Sequence, residues 1–202
     1  PDRYFACQPR NLNVGVEPSS IPVLLYHGNL GPDRGLDTVI RAIALLADSD
    51  IKVKLLVLGK PETEIKRLGA MAAELGVADF VDCQLPIRYE HLPSAISQSF
   101  AGIIPHLYCE HTATTIPHKL FDCMSMGKPI IVSSVPPLRR IVTEEKCGIS
   151  YQWDSPADLA RSIEELVNDP QIAMDMGRNG LRAYEDKFSW SWCELAIQEI
   201  LG

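Results

Sequence analysis

Short apolar runs without polar alternation recur along this chain. Each is closed by a Gly, Pro or Asn turn and followed by a stretch with helical spacing. Such runs suit strands covered on both faces. Strand, helix, strand, helix with short connections is the pattern of βαβ units on a parallel sheet. The runs fall at 23–26, 53–58, around Phe80-Val81, and at 101–104, 129–132 and 148–151. Helical spacing is clearest where Leu36, Val39, Ile40, Ile43 and Leu46 recur. Further helices are expected at 62–75 (closed by Gly76), 90–98, 119–126 (closed by Gly127), 138–142 and most of 157–186. A last one follows a break at Phe188-Ser189-Trp190 and runs to about 201. The expected fold class is α/β, a Rossmann-like three-layer sandwich with a parallel sheet of about six strands. It accounts for most of the 202 residues, with residues 1–20 left as a lead-in or linker.

Composition narrows the function classes. A net charge of −7 argues against nucleic-acid binding through a general basic field, but leaves room for a small anion held by one or two cations. No apolar run reaches membrane-spanning length, and there is no basic amphipathic helix or signal peptide. Cys7, Cys83, Cys109, Cys123, Cys147 and Cys193 form no CxxC pair and read as reduced thiols of a cytoplasmic protein. The start at Pro1-Asp2-Arg3-Tyr4 reads as the middle of a longer protein.

In a parallel sheet of this kind, ligands bind outside the carboxyl ends of the strands. Gly28-Asn29-Leu30-Gly31-Pro32-Asp33-Arg34-Gly35 follows the first run and enters a helix. Its glycines permit close backbone approach, the helix start attracts anions, and Arg34 is a bidentate phosphate donor. It is neither GxGxxG nor a Walker loop, and a tight strand-to-helix turn explains it equally. Thr112 to Pro117 follows the fourth run and enters another helix, in which Asp122 lies one turn along. A carboxylate there accepts hydrogen bonds from a pair of sugar hydroxyls, or is a solvated helix-face acid. Cys109, His111 and His118 fit no standard zinc spacing, His27 reads as structural or merely near the pocket, and no nucleophile triad can be argued. Trp190 and Trp192 read as core anchors of the last helix rather than a carbohydrate platform.

Residues 21–190 resemble the C-terminal, donor-binding half of a GT-B-fold retaining glycosyltransferase of group 1, family four. The most specific segment is Pro117-His118-Lys119-Leu120-Phe121-Asp122-Cys123-Met124-Ser125-Met126-Gly127-Lys128-Pro129-Ile130-Ile131. It is similar to the family's Pro-x-Lys-Leu-(Phe)-Glu-x-Met-Ala-x-Gly-Lys-Pro-Val. The loop Gly28 to Asp37, the run Leu55 to Gly59, Val135 to Arg139, Gly148, and Met176-Gly177 through Trp190 continue in register.

The resemblance implies that Arg34 stands at the family's diphosphate-binding Lys and Asn29 at its Arg, so one cation is replaced by a neutral donor. These two are the expected catalytic residues. Asp122 stands at the acid that binds ribose hydroxyls. Thr114 stands at the acid near the donor sugar and is not an acid, as in a branch of the family with Pro-x-Lys before the second acid. Gly28, Asn29, Arg34, Thr114, Thr115, Ile116, Lys119 and Asp122 are the expected donor contacts, with the Thr115 and Ile116 N–H groups at the β-phosphate. Gln84, Leu85 and Pro86 stand where the base edge is read.

The expected donor is a nucleotide sugar with a UDP, GDP or dTDP carrier; no metal or other cofactor is expected. Residues 21–187 then form the donor domain, and 188–202 a helix packing back toward an absent N-terminal domain. That domain would bring a glycan or lipid-linked acceptor, in a cytoplasmic protein free or peripheral to the inner membrane face. The expected function is sugar transfer in polysaccharide or glycolipid synthesis. A GT-B nucleotide-sugar epimerase and a non-catalytic nucleotide-binding or interaction module are the alternatives. A phospho-acceptor receiver domain fits poorly, because Tyr26-His27-Gly28 carries no acid.

Overall fold

The computed structural model describes residues 21–189. The six strands are β1 (Val23–Asn29), β2 (Lys54–Lys60), β3 (Val81–Gln84), β4 (Ala101–Ile104), β5 (Ile130–Ser133) and β6 (Gly148–Tyr151). They form one sheet in the order β3-β2-β1-β4-β5-β6, with every pairing parallel. Among the described residues the helices are α1 (Leu36–Asp48), α2 (Glu62–Glu74), α3 (Leu92–Gln98), α4 (Glu110–Thr114), α5 (His118–Ser125), α6 (Pro136–Glu145), α7 (Pro156–Asn168) and α8 (Pro170–Ala183). The expected three-layer α/β sandwich is what forms.

Strand periodicity divides the apolar residues between two cores. Leu24, Tyr26, Ile103 and Ile131 pack with Val39, Ile40 and Ile43 of α1 and Leu159 and Ile163 of α7. Leu25, Ile104, Ile130 and Val132 pack on the opposite face with Ile96 of α3, Leu120 and Met124 of α5, and Leu138 of α6. β4 and β5 are buried at every position, which is why their runs carry no polar alternation. At the sheet edge, β3 does alternate, with Asp82 and Gln84 exposed.

Several boundaries differ from the sequence reading. β1 continues through His27, Gly28 and Asn29, because β2 pairs with it as far as Asn29↔Lys60. The glycine reads as a turn, yet pairing with Gly59 keeps it within the strand at φ +115. The stretch 110–114 forms the short helix α4, in a segment of polar residues without apolar period. The expected helical stretch 157–186 is two helices broken at Asp169-Pro170, where the Asp169 carboxylate caps α8 by accepting from Ile172 N–H. Five π-helical residues, Tyr184–Phe188, then carry the chain on, and the Phe188 ring packs on Phe121 with centroids 5.1 Å apart. The lead-in at 1–20, the final helix and both Trp190 and Trp192 lie outside the described residues.

Strand order reverses between β1 and β4, so their carboxyl ends open a crevice. The loops that leave those two strands build the site.

Candidate functional site

The loop after β1 is a single 3-10 turn, Pro32–Arg34, closed by Gly35 at φ +65. A Cβ on Gly35 would run into the carbonyl of Pro105, which follows β4. Leu107 N–H donates to the Asp33 carbonyl at 2.9 Å. The two loops flanking the crevice are therefore tied together backbone to backbone. Arg34, 18% exposed, is held between them: its Nη1 lies 3.5 Å from an Asp33 carboxylate oxygen and 3.4 Å from His106 Nε2. The His106 carbonyl accepts a 2.6 Å bond from the buried Ser133 hydroxyl of β5.

The second wall is the segment from Leu107 to Lys119. Thr112 locks it, donating from Oγ1 to the Leu107 carbonyl at 2.6 Å and accepting from Cys109 N–H at 2.9 Å. The chain then turns at Thr115 to Pro117 into α5, which carries Lys119 and Asp122 inward. Lys119 Nζ lies 3.8 Å from the centroid of the Tyr26 ring. Gly28, beside that lysine, is at φ +115, a backbone conformation that side-chain-bearing residues rarely adopt. Tyr26 itself donates to the Asn29 carbonyl at 2.6 Å, fixing the end of β1.

Two hollows meet at Gly28-Asn29. The larger, about 330 Å³, is lined by Asn29, Arg34, His106, His111, Thr112, Thr115, Ile116, Pro117, His118 and Lys119. None of these is acidic. The smaller, about 180 Å³, is lined by His27, Gly28, Leu58, Pro86, Ile87, Tyr89 and Leu92 and is largely apolar. Asp122 sits beside them, 13% exposed, with Oδ2 3.7 Å from His27 Nε2 and Oδ1 3.4 Å from the Tyr89 hydroxyl.

The electrostatics follow from burial and crowding of cations. Burial, helped by the nearby Arg34 charge, pushes the Lys119 ammonium down to about 7. Burial pushes the Asp122 carboxyl up to about 6 against the opposing pull of His118, the Tyr89 bond and Lys119. His106 is pushed down to about 3 by burial, then by Lys119 and Arg34. His27 is pushed down to about 3 by burial and Lys119. Both of these imidazoles are neutral near pH 7. The site is a cradle of cationic and neutral donors, short of negative charge.

Most of the expected contacts converge. Gly28, Asn29, Arg34, Thr115, Ile116 and Lys119 line the hollows, and Asp122 lies against His27 and Tyr89 of the apolar one. Pro86 lines the apolar hollow, whereas Gln84 turns away to bond Asp82 at 2.6 Å and Leu85 is 56% exposed outside it. The Thr114 hydroxyl donates back to the Glu110 carbonyl at 3.0 Å, and Thr114 lines neither hollow. Tyr26, His106, Ile87, Tyr89 and Leu92 join the site without a sequence expectation, and His27, expected to be structural or merely near the pocket, lines the apolar hollow. The one available signal was position, since Tyr26, His27 and His106 lie at or just past the carboxyl ends of the two central strands. Among the described residues no group of three His, Cys, Asp or Glu side chains is placed to hold a metal ion, so Cys109, His111 and His118 do not gather as a metal cluster.

Known proteins share this fold. The D-inositol 3-phosphate glycosyltransferase of Streptomyces avermitilis is 26% identical over 195 residues, covering 91% of this chain and 40% of that protein. The chain thus spans less than half the length of the curated relatives it matches. Sucrose-phosphate synthase from Thermosynechococcus elongatus superposes with a TM-score of 0.77 at 23% identity, over 92% of this chain and 46% of that one. Anabaena HepE in complex with UDP superposes with a TM-score of 0.78 at 16% identity, over 100% of this chain and 53% of that one. The family model described as glycosyl transferases group 1 matches residues 8–183. The chain belongs to the group 1 glycosyl transferases.

Proposed function

We propose that this chain is the donor-binding half of a retaining glycosyltransferase that takes a nucleotide sugar. The observation that carries the reading is the convergence of Arg34, Lys119 and Asn29 on one acid-free hollow, at the crevice where strand order reverses. Two fixed cations and the start of α5 suit a diphosphate. The apolar hollow beside it, walled by Pro86, Ile87, Tyr89 and Leu92, suits a flat base. Asp122, beside His27 and Tyr89 of the apolar hollow, suits the ribose that joins a base to a diphosphate. The HepE structures hold UDP, and UDP with glucose.

The chemistry asked of the site is departure of a nucleoside diphosphate. The bond between the anomeric carbon and the β-phosphate oxygen breaks, charge develops on the diphosphate, and the sugar becomes oxocarbenium-like. Arg34 and Lys119, held before the reaction begins, stabilise the leaving charge in a partly dry site. This reading places the diphosphate's charge on side chains and needs no metal ion. A glycan or lipid-linked acceptor comes to the other half of the enzyme, in a protein we place in the cytoplasm. No helix among the described residues is long and apolar enough to cross a membrane.

The test is product analysis on the whole protein, with a panel of nucleotide sugars and glycan or lipid-linked acceptors. Transfer with the anomeric configuration of the donor kept, unaffected by a chelator, is expected. Release of a free sugar isomer without transfer would contradict it and point to the epimerase instead.

A further inference from the structure

Among the described residues, His27 Nε2 is a buried nitrogen with no hydrogen-bond partner. Leaving such an atom unpaired is costly, and a native fold that keeps one is commonly leaving room for something. Its ring, 11% exposed, lines the apolar hollow next to Gly28. Across from it, Asp122 Oδ2 stands 3.7 Å away, too far for a hydrogen bond. Two atoms so spaced can be bridged by one oxygen, about 2.8 Å from each, once the ring turns toward the hollow.

The chemistry of the pair specifies what that oxygen is. A carboxylate oxygen only accepts. A neutral imidazole has one N–H and one acceptor nitrogen, and facing a carboxylate favours the tautomer with the proton on Nε2. Between the two, a group must donate on one side and accept on the other. A hydroxyl does both; an ether, a carbonyl or an ammonium does not. A C–H in the same place leaves both polar atoms unsatisfied.

We infer that His27 and Asp122 together read one hydroxyl of the donor's ribose, and that His27 is a specificity-determining residue selecting ribonucleotide over deoxyribonucleotide donors. The inference rests on the nucleotide reading given above. It adds that the ribose hydroxyl is held from both sides, so that discrimination depends on His27 as well as on the acid. Near pH 7 the carboxyl is largely ionised and the imidazole neutral, which is the state this arrangement needs.

The experiment is a calorimetric titration of the chain with UDP and GDP and with the 2′-deoxy and 3′-deoxy forms of each. It is run on the native chain, His27→Leu, His27→Gln and Asp122→Asn, with folding of each checked by circular dichroism. The native chain should prefer the ribonucleotide over one deoxy form by at least about tenfold, the worth of a buried hydrogen bond to a charged-site hydroxyl. His27→Leu should lose that preference by weakening the ribonucleotide alone. His27→Gln, which keeps an N–H donor, should recover part of it. If His27→Leu weakens ribo and deoxy forms equally, or changes neither, while Asp122→Asn abolishes the preference, the role of His27 is overturned and the nucleotide reading stands. If no nucleotide binds, or Asp122→Asn leaves every affinity unchanged, the nucleotide reading fails and this inference falls with it.

Discussion

The Lys119 ammonium lies 3.8 Å from the centre of the Tyr26 ring, so the site's second cation rests on an aromatic face rather than on a carboxylate. The ring's quadrupole attracts the charge without neutralising it. Burial works against the charged form and pulls the lysine down to about 7. A carboxylate partner would have held it charged and spent its attraction. The arrangement leaves a cation whose demand for an anion is unmet until a ligand arrives.

Lys119→Met should therefore separate stability from binding. The folded value of Lys119 lies below its ordinary 10.5, so its protonated form costs the fold stability at and below pH 7, and that cost fades between pH 7 and 10.5. Met fills similar space without charge. The variant should be at least as stable as the native chain at pH 6, by about 1 kcal/mol in urea unfolding, and should gain less at pH 10. Its affinity for a nucleotide diphosphate should fall at least about tenfold, as expected for loss of a charge-assisted contact. Equal affinity in the two proteins would remove Lys119 from the diphosphate site.

The pH dependence of binding should be bell-shaped. An anion bound at Lys119 raises the lysine's value, so affinity falls as pH rises past about 7 and the free protein must take up a proton. Hydroxyl donors bound at Asp122 favour its ionised form, so affinity falls as pH drops below about 6. The maximum is expected between these values. A nucleotide sugar is the better probe, since its diphosphate diester does not titrate in that range. Calorimetry in two buffers of different ionisation enthalpy should show proton uptake at pH 8 and release at pH 5. Lys119→Met should lose the upper limb alone.

Gly35→Ala tests the tie between the two loops. The residue sits in the left-handed region, and a methyl would collide with the Pro105 carbonyl. The conformational penalty and the displaced backbone together should cost about 2–4 kcal/mol in chemical denaturation. Because Arg34 hangs between these loops, ligand affinity should fall as well, even though Gly35 contacts no ligand. A loss below about 0.5 kcal/mol, the size of an ordinary surface change, would mean that the loops are not rigidly coupled.

The sheet is legible where its runs are apolar throughout, as in β4, which falls where its sequence predicts; β6 does so too, despite Ser150. The end of β1 is not, because Gly28 is kept in the strand by pairing with Gly59, a contact no local pattern carries. The same limit hid part of the site. Arg34, Lys119 and Asp122 stand in recognisable segments, whereas His27 and Tyr89 act through partners distant in sequence. Tyr89 lies 33 residues from Asp122, and only the fold brings its hydroxyl within 3.4 Å. Thr114 shows the converse: its place in the pattern is clear, but its hydroxyl is spent on the α4 backbone.

The most direct test is a titration of the chain with UDP, GDP and dTDP, repeated on Arg34→Ala and Asp122→Ala. One ribonucleotide should bind saturably at millimolar concentration or below. Each substitution should weaken that binding at least about tenfold, as loss of a charge-assisted hydrogen bond does. No saturable binding of any of the three, or affinities unchanged in both variants, would contradict a donor site at the β1–β4 crevice.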